Sequence, residues 1–378
     1  MFGCAGGGKL NGRSNCRLSV GFRVPALSQQ LGIREVARGT AIAAREVGMR
    51  LLVRSAIVTL LLPAALAATA QDPFAWLQPA VTVDRAARSR LDRGEVIVRV
   101  LPTNDGEIGV FAAARLDADA ETLAAWVNAI ARLKKSPYVL MIRRFSDPPV
   151  LADLKGLTLD DGDLDAIRDC RPGACELKLA GDDIAALRQA AYTGGPGWKE
   201  AVQQEFKRVV LGRLAAYEAG GFVGIAPYAD RREPTDPRTA FDALVAHSPY
   251  LPSGALSGDP SASFFYWSKE QYGAGKAVIA TTQVNIVRPQ LPSAVRLAVI
   301  SREIFATHYR NASLGLAAVT EDAAGQRYLV YVNRSQLDLL TGVFGGWKRS
   351  LVEGRLKSES ANVFNEVRRR LESGSPPE

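Results

Sequence analysis

The stretch from Phe264 to Arg334 decides the fold of this chain. Its landmarks are FFYWSKEQYG from residue 264, AVIATTQVNIV from 277, AVISREIFATHYRNASLGLAAV from 298 and RYLVYVNR from 327. Between 278 and 287 apolar and polar residues alternate with a period of two, which is typical of a β-strand with one apolar face and one largely polar face. The later runs repeat this pattern less cleanly. The sequence therefore predicts a sheet, and its polar residues either line a cavity or face solvent.

The flanking segments extend this sheet and cover it. Residues 95–100 and 108–115 are strand-like, and the Asp-Gly pair of TNDGE between them favours a hairpin. A helix capped by Asp117 or Asp119 should follow and run to about Lys134. A further strand is predicted over 138–142. The last element is a long amphipathic helix over 347–371, whose buried stripe would comprise Trp347, Leu351, Val352, Leu356, Val363, Phe364, Val367 and Leu371.

These elements predict an α+β fold, in which a curved antiparallel sheet is combined with a long C-terminal amphipathic helix. Its two parts are residues 95–149 and 262–373, and residues 71–94 form a surface lead-in. Between the two parts the texture becomes helical, so residues 150–261 are interpreted as a helical insertion, with one short strand predicted over 176–179.

Two cysteines lie in this insertion. Cys170 and Cys175 flank the Pro-Gly pair of CRPGAC, which favours a turn that brings the two thiols together. Their spacing is not CxxC, and no additional Cys or His pair lies nearby to complete a zinc site. The sequence therefore predicts a structural disulfide between Cys170 and Cys175, as in proteins of an oxidising compartment.

The net charge of +8 has a local origin. Residues 1–70 contain nine Lys/Arg and two Glu, a net of +7, which leaves a net of +1 for the other 308 residues of the chain. A nearly neutral body gains little from counterion release, so no nucleic-acid partner is expected.

Residues 49–70 have the pattern of a signal peptide. Arg50 and Arg54 form a positive region, an apolar run follows, and Ala-Leu-Ala and Ala-Thr-Ala offer cleavage near Ala67 or Ala70. Residues 1–48 are interpreted as an upstream extension from a wrongly assigned start codon, with Met49 as the initiator, although a mitochondrial transit peptide is a competing interpretation. The mature protein is expected to be periplasmic or secreted.

The order of elements resembles that of the START/polyketide-cyclase-like helix-grip superfamily. The segments that support this resemblance are EIGVFAAARLDADAETLAAWVNAI from 107, YLVYVNRSQ from 328 and the helix over 347–371. The resemblance implies a curved sheet that wraps the C-terminal helix around an apolar cavity. The insertion over 150–261 departs from the compact family pattern. CRPGAC, YWSKE and ATHYRNASLG also resemble phrases of secreted bacterial proteins of unassigned function.

The candidate site residues cluster in the opening stretch. The catalytic candidates are His308, Glu270 and Lys269. His308 would act as a general base, which needs a nearby carboxylate and a positioned substrate. His308 is nevertheless more typical of a histidine hydrogen-bonded near the sheet, and His247 of a helix C-cap. Candidate ligand-binding residues at strand ends and aromatic clusters are Tyr266, Trp267, His308, Tyr309, Asn333 and Arg334. Arg334 could bind a carboxylate of a ligand, but pairing with Asp338 is favoured.

The sequence favours a binding protein over an enzyme. It contains no GxSxG, HExxH or GxxxxGK[ST] motif, and with two histidines no metal site or cofactor is expected. The leading hypothesis is an exported protein that holds an apolar or amphipathic small molecule or lipid between the sheet and the C-terminal helix, which is compatible with peripheral membrane contact. The alternatives are a hydrolase-type enzyme centred on His308 and an envelope protein-interaction module. The oligomeric state is left open.

Overall fold

The computed structural model describes residues 72–376 except 105, 252–255, 257–260, 273–274, 290–293 and 341–344. The predicted N-terminal extension, the signal peptide and its cleavage sites at Ala67 and Ala70 lie outside the described residues, as do the side chains of Trp347 and Leu351.

A single eight-stranded antiparallel sheet forms the centre of the protein. Its strands follow one another in the order β1-β2-β8-β7-β6-β5-β4-β3, and the sheet is open at β1 and β3. The strands are β1 Ile97–Leu101, β2 Glu107–Leu116, β3 Val139–Arg144, β4 Ala262–Glu270, β5 Val278–Val287, β6 Val295–Ala306, β7 Arg310–Glu321 and β8 Arg327–Leu337.

Helices precede, interrupt and follow the sheet. They are α1 Arg85–Asp92, α2 Ala120–Asn128, α3 Ile130–Leu133, α4 Asp161–Asp169, α5 Gly181–Thr193, α6 Trp198–Gly220, α7 Pro237–Ala246 and α8 Gly345–Glu372. The predicted α+β class is therefore confirmed, including the β1–β2 hairpin and one long helix near the C-terminus. The cap of α2 is Asp119, whose carboxylate accepts a hydrogen bond from the Thr122 backbone N–H.

One face of the sheet, which we call the α8 face, is covered by α2, α3 and α8. Leu123 of α2 and Phe364 and Leu371 of α8 belong to one buried apolar cluster with Leu297 of β6 and Leu329 of β8. Burying each such side chain contributes roughly 1.5–3 kcal/mol. The last turns of α8 are therefore held firmly against the sheet.

The other face, which we call the insertion face, is covered by two groups of residues. Residues 72–92 and α7 pack on the part formed by β1, β2, β8, β7 and β6, where Phe74 and Phe241 meet Phe111 and Val330. Helices α4–α6 pack on β4, β5 and β6, where Phe206 joins the cluster that contains Trp267, Ile279 and Phe305.

The segment over 71–94 does more than lead into the sheet. It includes α1 and buries Phe74, Leu77 and Leu91, each at most 1% exposed.

Residues 176–179 do not form the predicted strand, because their neighbours are the disulfide loop and the β6–β7 connection. The Lys178 backbone N–H donates to Thr307 O at 2.9 Å, a single contact rather than a ladder.

The insertion is fixed to the sheet by a buried ion cluster. The Lys178 Nζ lies 2.6 Å from Asp338 Oδ2 and 3.5 Å from Asp230 Oδ2. Lys178 is 1% exposed. Asp338 follows β8 immediately, so this cluster joins the insertion to the segment that leads into α8. Removing one partner of such a buried pair is costly, because it leaves a charge without compensation.

The disulfide between Cys170 and Cys175 closes the loop beside this cluster. The loop is held by backbone bonds from Gly173 N to Ala229 O at 2.7 Å and from Cys175 N to Asp230 O at 2.9 Å. The prediction that these two cysteines form a disulfide is confirmed.

Replacing both cysteines, Cys170→Ser with Cys175→Ser, should lower the free energy of unfolding by about 2 kcal/mol, the chain-entropy value for a short loop. Urea unfolding of the oxidised protein measures the difference. Adding a reductant should destabilise the wild type towards the double variant and leave the double variant unchanged. Equal stability of the two oxidised proteins would contradict the role assigned to the bridge.

Candidate functional site

A row of small side chains lies on the α8 face of β7. Ser313, Gly315 and Ala317 point to this face, whereas Leu314 and Leu316 point to the insertion face, because side chains alternate along a strand. The small residues lie in the middle of the sheet, between β6 and β8. A Cβ placed on Gly315 would lie 2.3 Å from Ser301 Oγ and 3.4 Å from Asn333 Nδ2. Ser301, Gly315 and Asn333 therefore lie side by side on the neighbouring strands β6, β7 and β8.

The side chains of this row and of its neighbours on β6 and β8 are mostly half-buried, although they belong to the centre of the sheet. On the insertion face of the same strands, Leu314, Leu316 and Val332 are at most 2% exposed. On the α8 face most of the corresponding residues are half-buried instead. We call the trough the set Ser301, Glu303, Ser313, Gly315, Ala317, Tyr331 and Asn333, of which Gly315 alone is buried.

Hydroxyl and amide groups form the middle of the trough floor. The Asn333 Nδ2 donates to Ser313 Oγ at 3.1 Å, and Ser335 Oγ donates to Asn333 Oδ1 at 3.0 Å. The Ser313 and Ser335 hydroxyls are 2.8 Å apart. Because these three side chains satisfy one another, they keep fixed rotamers and form a preorganised polar surface.

Charged residues lie at one end of the trough. The Lys134 Nζ, just beyond α3, is 2.7 Å from Glu270 Oε1 and donates to the Tyr266 hydroxyl at 3.2 Å. Glu270 also accepts hydrogen bonds from Ser268 Oγ at 2.8 Å and from the Tyr272 hydroxyl at 3.0 Å. Glu270 is 4% exposed, so its charge depends on these partners.

A second ion pair lies next to the first. The Arg310 guanidinium binds Glu303 in a bidentate manner, with Nε 2.9 Å from Oε1 and Nη2 2.7 Å from Oε2. Coulombic interactions link Arg310 to Glu270 and Glu303 to Lys134. The two pairs therefore act as one charged cluster, which consists of Lys134, Glu270, Glu303 and Arg310.

The environment moves the pKa values of the two carboxyls in opposite directions. Burial alone would raise the pKa of Glu270, but the nearby Lys134 and Arg310 lower it to about 2. Burial raises the pKa of Glu303, although Arg310 acts in the opposite direction. Burial also opposes the charge of Lys134, yet the Glu270 carboxylate holds the pKa of this amine well above its usual range.

Three contacts hold α8 against this face of the sheet. The Arg349 guanidinium donates to Thr103 Oγ1 at 2.8 Å in the β1–β2 connection. The Glu359 carboxylate lies near the Tyr138 hydroxyl, just before β3, where desolvation and this carboxylate raise the pKa of the phenol. The Arg370 Nη1 donates to Leu133 O at 2.6 Å at the end of α3. The helix is thus tied to elements near both edges of the sheet.

His308 lies outside the trough, against the insertion. Its Nε2 is 3.0 Å from Asp163 Oδ2 and its Nδ1 is 3.2 Å from Glu176 O, and the residue is 3% exposed. Both ring nitrogens are therefore occupied by protein groups. Lys276 completes this cluster with its Nζ 2.9 Å from Asp163 Oδ1.

The structure does not bring the three catalytic candidates together. Glu270 faces the trough, and Lys269, its neighbour along β4, faces the opposite side of the sheet. The Lys269 Nζ donates to Thr158 O at 2.9 Å and pairs with Asp160, before α4. His308 binds Asp163 within α4. Sequence neighbours on a strand point to opposite faces, which explains this separation.

The ligand-binding candidates are divided in the same way. Tyr266 and Asn333 lie on the α8 face, and Asn333 belongs to the trough floor. Trp267 is 0% exposed and donates from Nε1 to Asp153 O at 3.0 Å in the insertion. Tyr309 accepts a hydrogen bond on its hydroxyl from Lys276 N at 3.1 Å. It has a positive φ of 64°.

Arg334 pairs with a different acid from the one predicted. Its Nη1 is 2.6 Å from Glu107 Oε1, and the other Glu107 oxygen is 2.6 Å from His247 Nδ1. The prediction that Arg334 binds Asp338 is therefore wrong, because β8 pairs with β2, which places Glu107 beside Arg334, and Asp338 binds Lys178. His247 does form the C-cap of α7, as predicted.

The sequence offered a weak signal for the trough residues that were missed. Glu303 and Tyr331 belong to predicted strands, Arg310 lies between two of them, and Lys134 ends the predicted helix, but nothing local shows that they meet. The alternation of small and large residues in SLGLA from 313 is the one informative pattern. Small residues at alternate positions of a central strand leave room on one face.

Large exposed apolar residues occur in the insertion, as an interaction module would require. Tyr192 on α5 is 60% exposed and Val223, just after α6, is 70% exposed. They lie on different elements, and single exposed apolar residues are normal on a protein surface. The envelope-module hypothesis stays a prediction.

Comparisons with known proteins find no matching family model, no matching curated protein and no matching solved structure. In the described part of the chain, no group of three or more His, Cys, Asp or Glu side chains is placed to hold a metal ion. Among the helices of the described residues, none combines the length and the hydropathy needed to cross a membrane.

Replacing Glu270 by Gln should lower the free energy of unfolding at neutral pH by ~3 kcal/mol, since lowering a pKa from 4.5 to about 2 has that value. The folded-state pKa is depressed, so the contribution is complete above the unfolded pKa of 4.5 and is lost as the pH falls towards 2. Urea unfolding from pH 7 down to pH 2 measures this difference.

The matched control is Glu95→Gln, which changes an exposed carboxylate in a surface ion pair. This control should change stability little at any of these pH values. A difference between wild type and Glu270→Gln that does not shrink on acidification would contradict the assigned electrostatic origin.

Proposed function

We propose that this protein binds an amphipathic small molecule in the trough beneath α8. The observation that carries the proposal is the half-buried polar floor at the centre of the sheet. Central strands that face a covering helix normally bury apolar side chains, and here β6, β7 and β8 instead present Ser301, Ser313 and Asn333. Concave sites with a few converging polar groups are the usual form of ligand pockets.

The side chains along the strands suggest an amphipathic ligand rather than a wholly apolar one. The charged cluster lies at one end, and the neutral row of Ser301, Gly315 and Asn333 comes next. Beyond Ala317 the floor becomes apolar with Val319 and Leu329, which are at most 1% exposed. A molecule with a polar head and an apolar portion would match this change in character along the sheet.

The architecture supports the proposed helix-grip relationship through the order of its elements. Two strands, two helices and a third strand precede the helical insertion, and the remaining antiparallel strands lead into the long α8. We propose that α8 acts as the gripped helix of this arrangement. The insertion then lies on the opposite face of the sheet, where it leaves the trough unobstructed.

A binding role agrees better with the site than hydrolysis does. The weak catalytic candidates lie on two faces of the sheet, and His308 has both nitrogens occupied. The charged cluster holds its side chains in fixed positions, as a recognition site requires. We further propose that the protein acts after export, which is compatible with the disulfide between Cys170 and Cys175.

The direct test is to express the full chain in a diderm bacterium, purify the mature protein and examine it by native and denaturing mass spectrometry. We expect a small molecule that is retained under native conditions and released by organic solvent. The mass of the mature chain should place its first residue near 68 or 71. A protein that carries nothing and binds no amphiphile would contradict the proposed function.

The substitution Ala317→Leu should fill the trough and reduce ligand retention at least tenfold, because the added side chain occupies the space above β7. Ala317 is only partly buried and lies at the margin of the apolar cluster that contains Val319 and Leu329, so the melting temperature of the variant is measured alongside ligand retention. Native mass spectrometry measures the bound fraction. The control Ala317→Ser adds little volume and should retain the ligand. Unchanged retention in Ala317→Leu, with an unchanged melting temperature, would place the ligand elsewhere.

A further inference from the structure

We propose that the ligand carries an anionic oxygen head group, a carboxylate or a phosphate, which is bound by Lys134, Arg310 and Tyr331. This inference rests on the proposed function and specifies its chemistry. It depends on which hydrogen-bonding groups of the charged cluster are already satisfied by the protein and which remain available.

Each carboxylate oxygen of the charged cluster already accepts at least one hydrogen bond from the protein. Glu270 Oε1 accepts from Lys134 and Ser268, and Oε2 accepts from Tyr272. Both oxygens of Glu303 are bound by Arg310. A ligand that offers only donors would therefore compete with bonds that the protein already makes.

Donors remain available in the same place. The Lys134 ammonium has three N–H groups, and among the described residues it uses two, on Glu270 and Tyr266. The Arg310 guanidinium has five N–H groups and directs two of them to Glu303. The hydroxyl of Tyr331 has no hydrogen-bond partner within the described part of the chain. A surplus of donors over acceptors favours an acceptor head group.

The three donor residues lie near one another on the α8 face. Burial raises the pKa of Tyr331 to about 12, and Lys134 and Arg310 lie close enough to act on it in the opposite direction. About a third of the Lys134 side chain is exposed, and 17% of the Arg310 side chain. The groups are therefore near one another and open to a ligand that enters the trough.

The charge balance is compatible with an anion. When all four residues of the charged cluster are ionised, their charges cancel, so selection must come from the direction of the free N–H and O–H groups. The N–H groups of Lys134 and Arg310 that are not bound to Glu270 or Glu303 belong to charged side chains, so they favour an anionic acceptor over a neutral one.

Four amphiphiles with the same eight-carbon chain test this inference by isothermal titration calorimetry on the delipidated mature protein. Octanoate and octyl phosphate are the anionic probes, octanol is neutral and octylammonium is cationic. We expect an anionic probe to bind at least tenfold more tightly than octanol and octylammonium. The relative affinities of octanoate and octyl phosphate identify the head group as carboxylate or phosphate.

The variant Tyr331→Phe removes one hydroxyl that has no protein partner, so it should leave stability unchanged. It should weaken the preferred anionic probe about tenfold, the value of one lost hydrogen bond to a charged group, and leave octanol unaffected. Tyr192→Phe is the control, because the Tyr192 hydroxyl lies on the exposed surface of α5 and bonds to Arg168 O in the insertion; it should not change the affinity for any probe. Lys134→Met should also weaken the anion, while Ser268 and Tyr272 continue to bind Glu270.

Two failures can be told apart. Equal affinities for anionic, neutral and cationic probes, or tight anion binding that Tyr331→Phe does not alter, would overturn the head-group assignment and leave the binding function intact. If none of the four probes binds and the purified protein carries no molecule, the proposed function itself fails, and the assignment fails with it.

Discussion

The size alternation along β7 is the constraint on which the candidate site depends. A strand in the middle of a sheet contributes side chains to both faces. On β7, Leu314 and Leu316 lie on the insertion face, and Ser313, Gly315 and Ala317 lie on the α8 face. The large residues anchor the insertion face in an apolar core. The small residues fill little of the space on the α8 face, and Ser313 and Ala317 stay partly exposed there. The same five residues therefore supply stability on one side and an accessible floor on the other.

Polar groups can lie on this floor because neighbouring strands satisfy them. The Ser313, Asn333 and Ser335 side chains bond to one another across β7 and β8. The residues of the charged cluster come from β4, β6, β7 and the C-terminal end of α3, so the cluster forms only when these elements pack together. The Coulombic attraction within a buried ion pair is largely offset by the free energy of removing both charges from water. Such a pair is therefore more readily explained by recognition or by specificity than by stability.

The sequence predicted the elements better than it predicted their contacts. Period-two alternation in 278–287 and the stripe of α8 are local patterns, and both elements form nearly where predicted. The site depends on contacts between distant parts of the chain, such as Lys134 with Glu270, which are 136 residues apart. Arg334 was assigned to Asp338 because the two are close in sequence, whereas the order of strands places Glu107 beside it. Such choices follow from register and topology, which local patterns do not specify.

The position of the insertion has a topological consequence. It connects β3 to β4, which are adjacent antiparallel strands, so it occupies a place where a tight hairpin turn of two residues would suffice. A long connection costs little more entropy than a short one, since closure entropy grows only with the logarithm of length. The insertion also shields Trp267, Ile279 and Phe305 from water. A chain without the insertion would therefore expose these side chains together with those that α7 covers, and it would need polar residues at all of these positions to remain soluble.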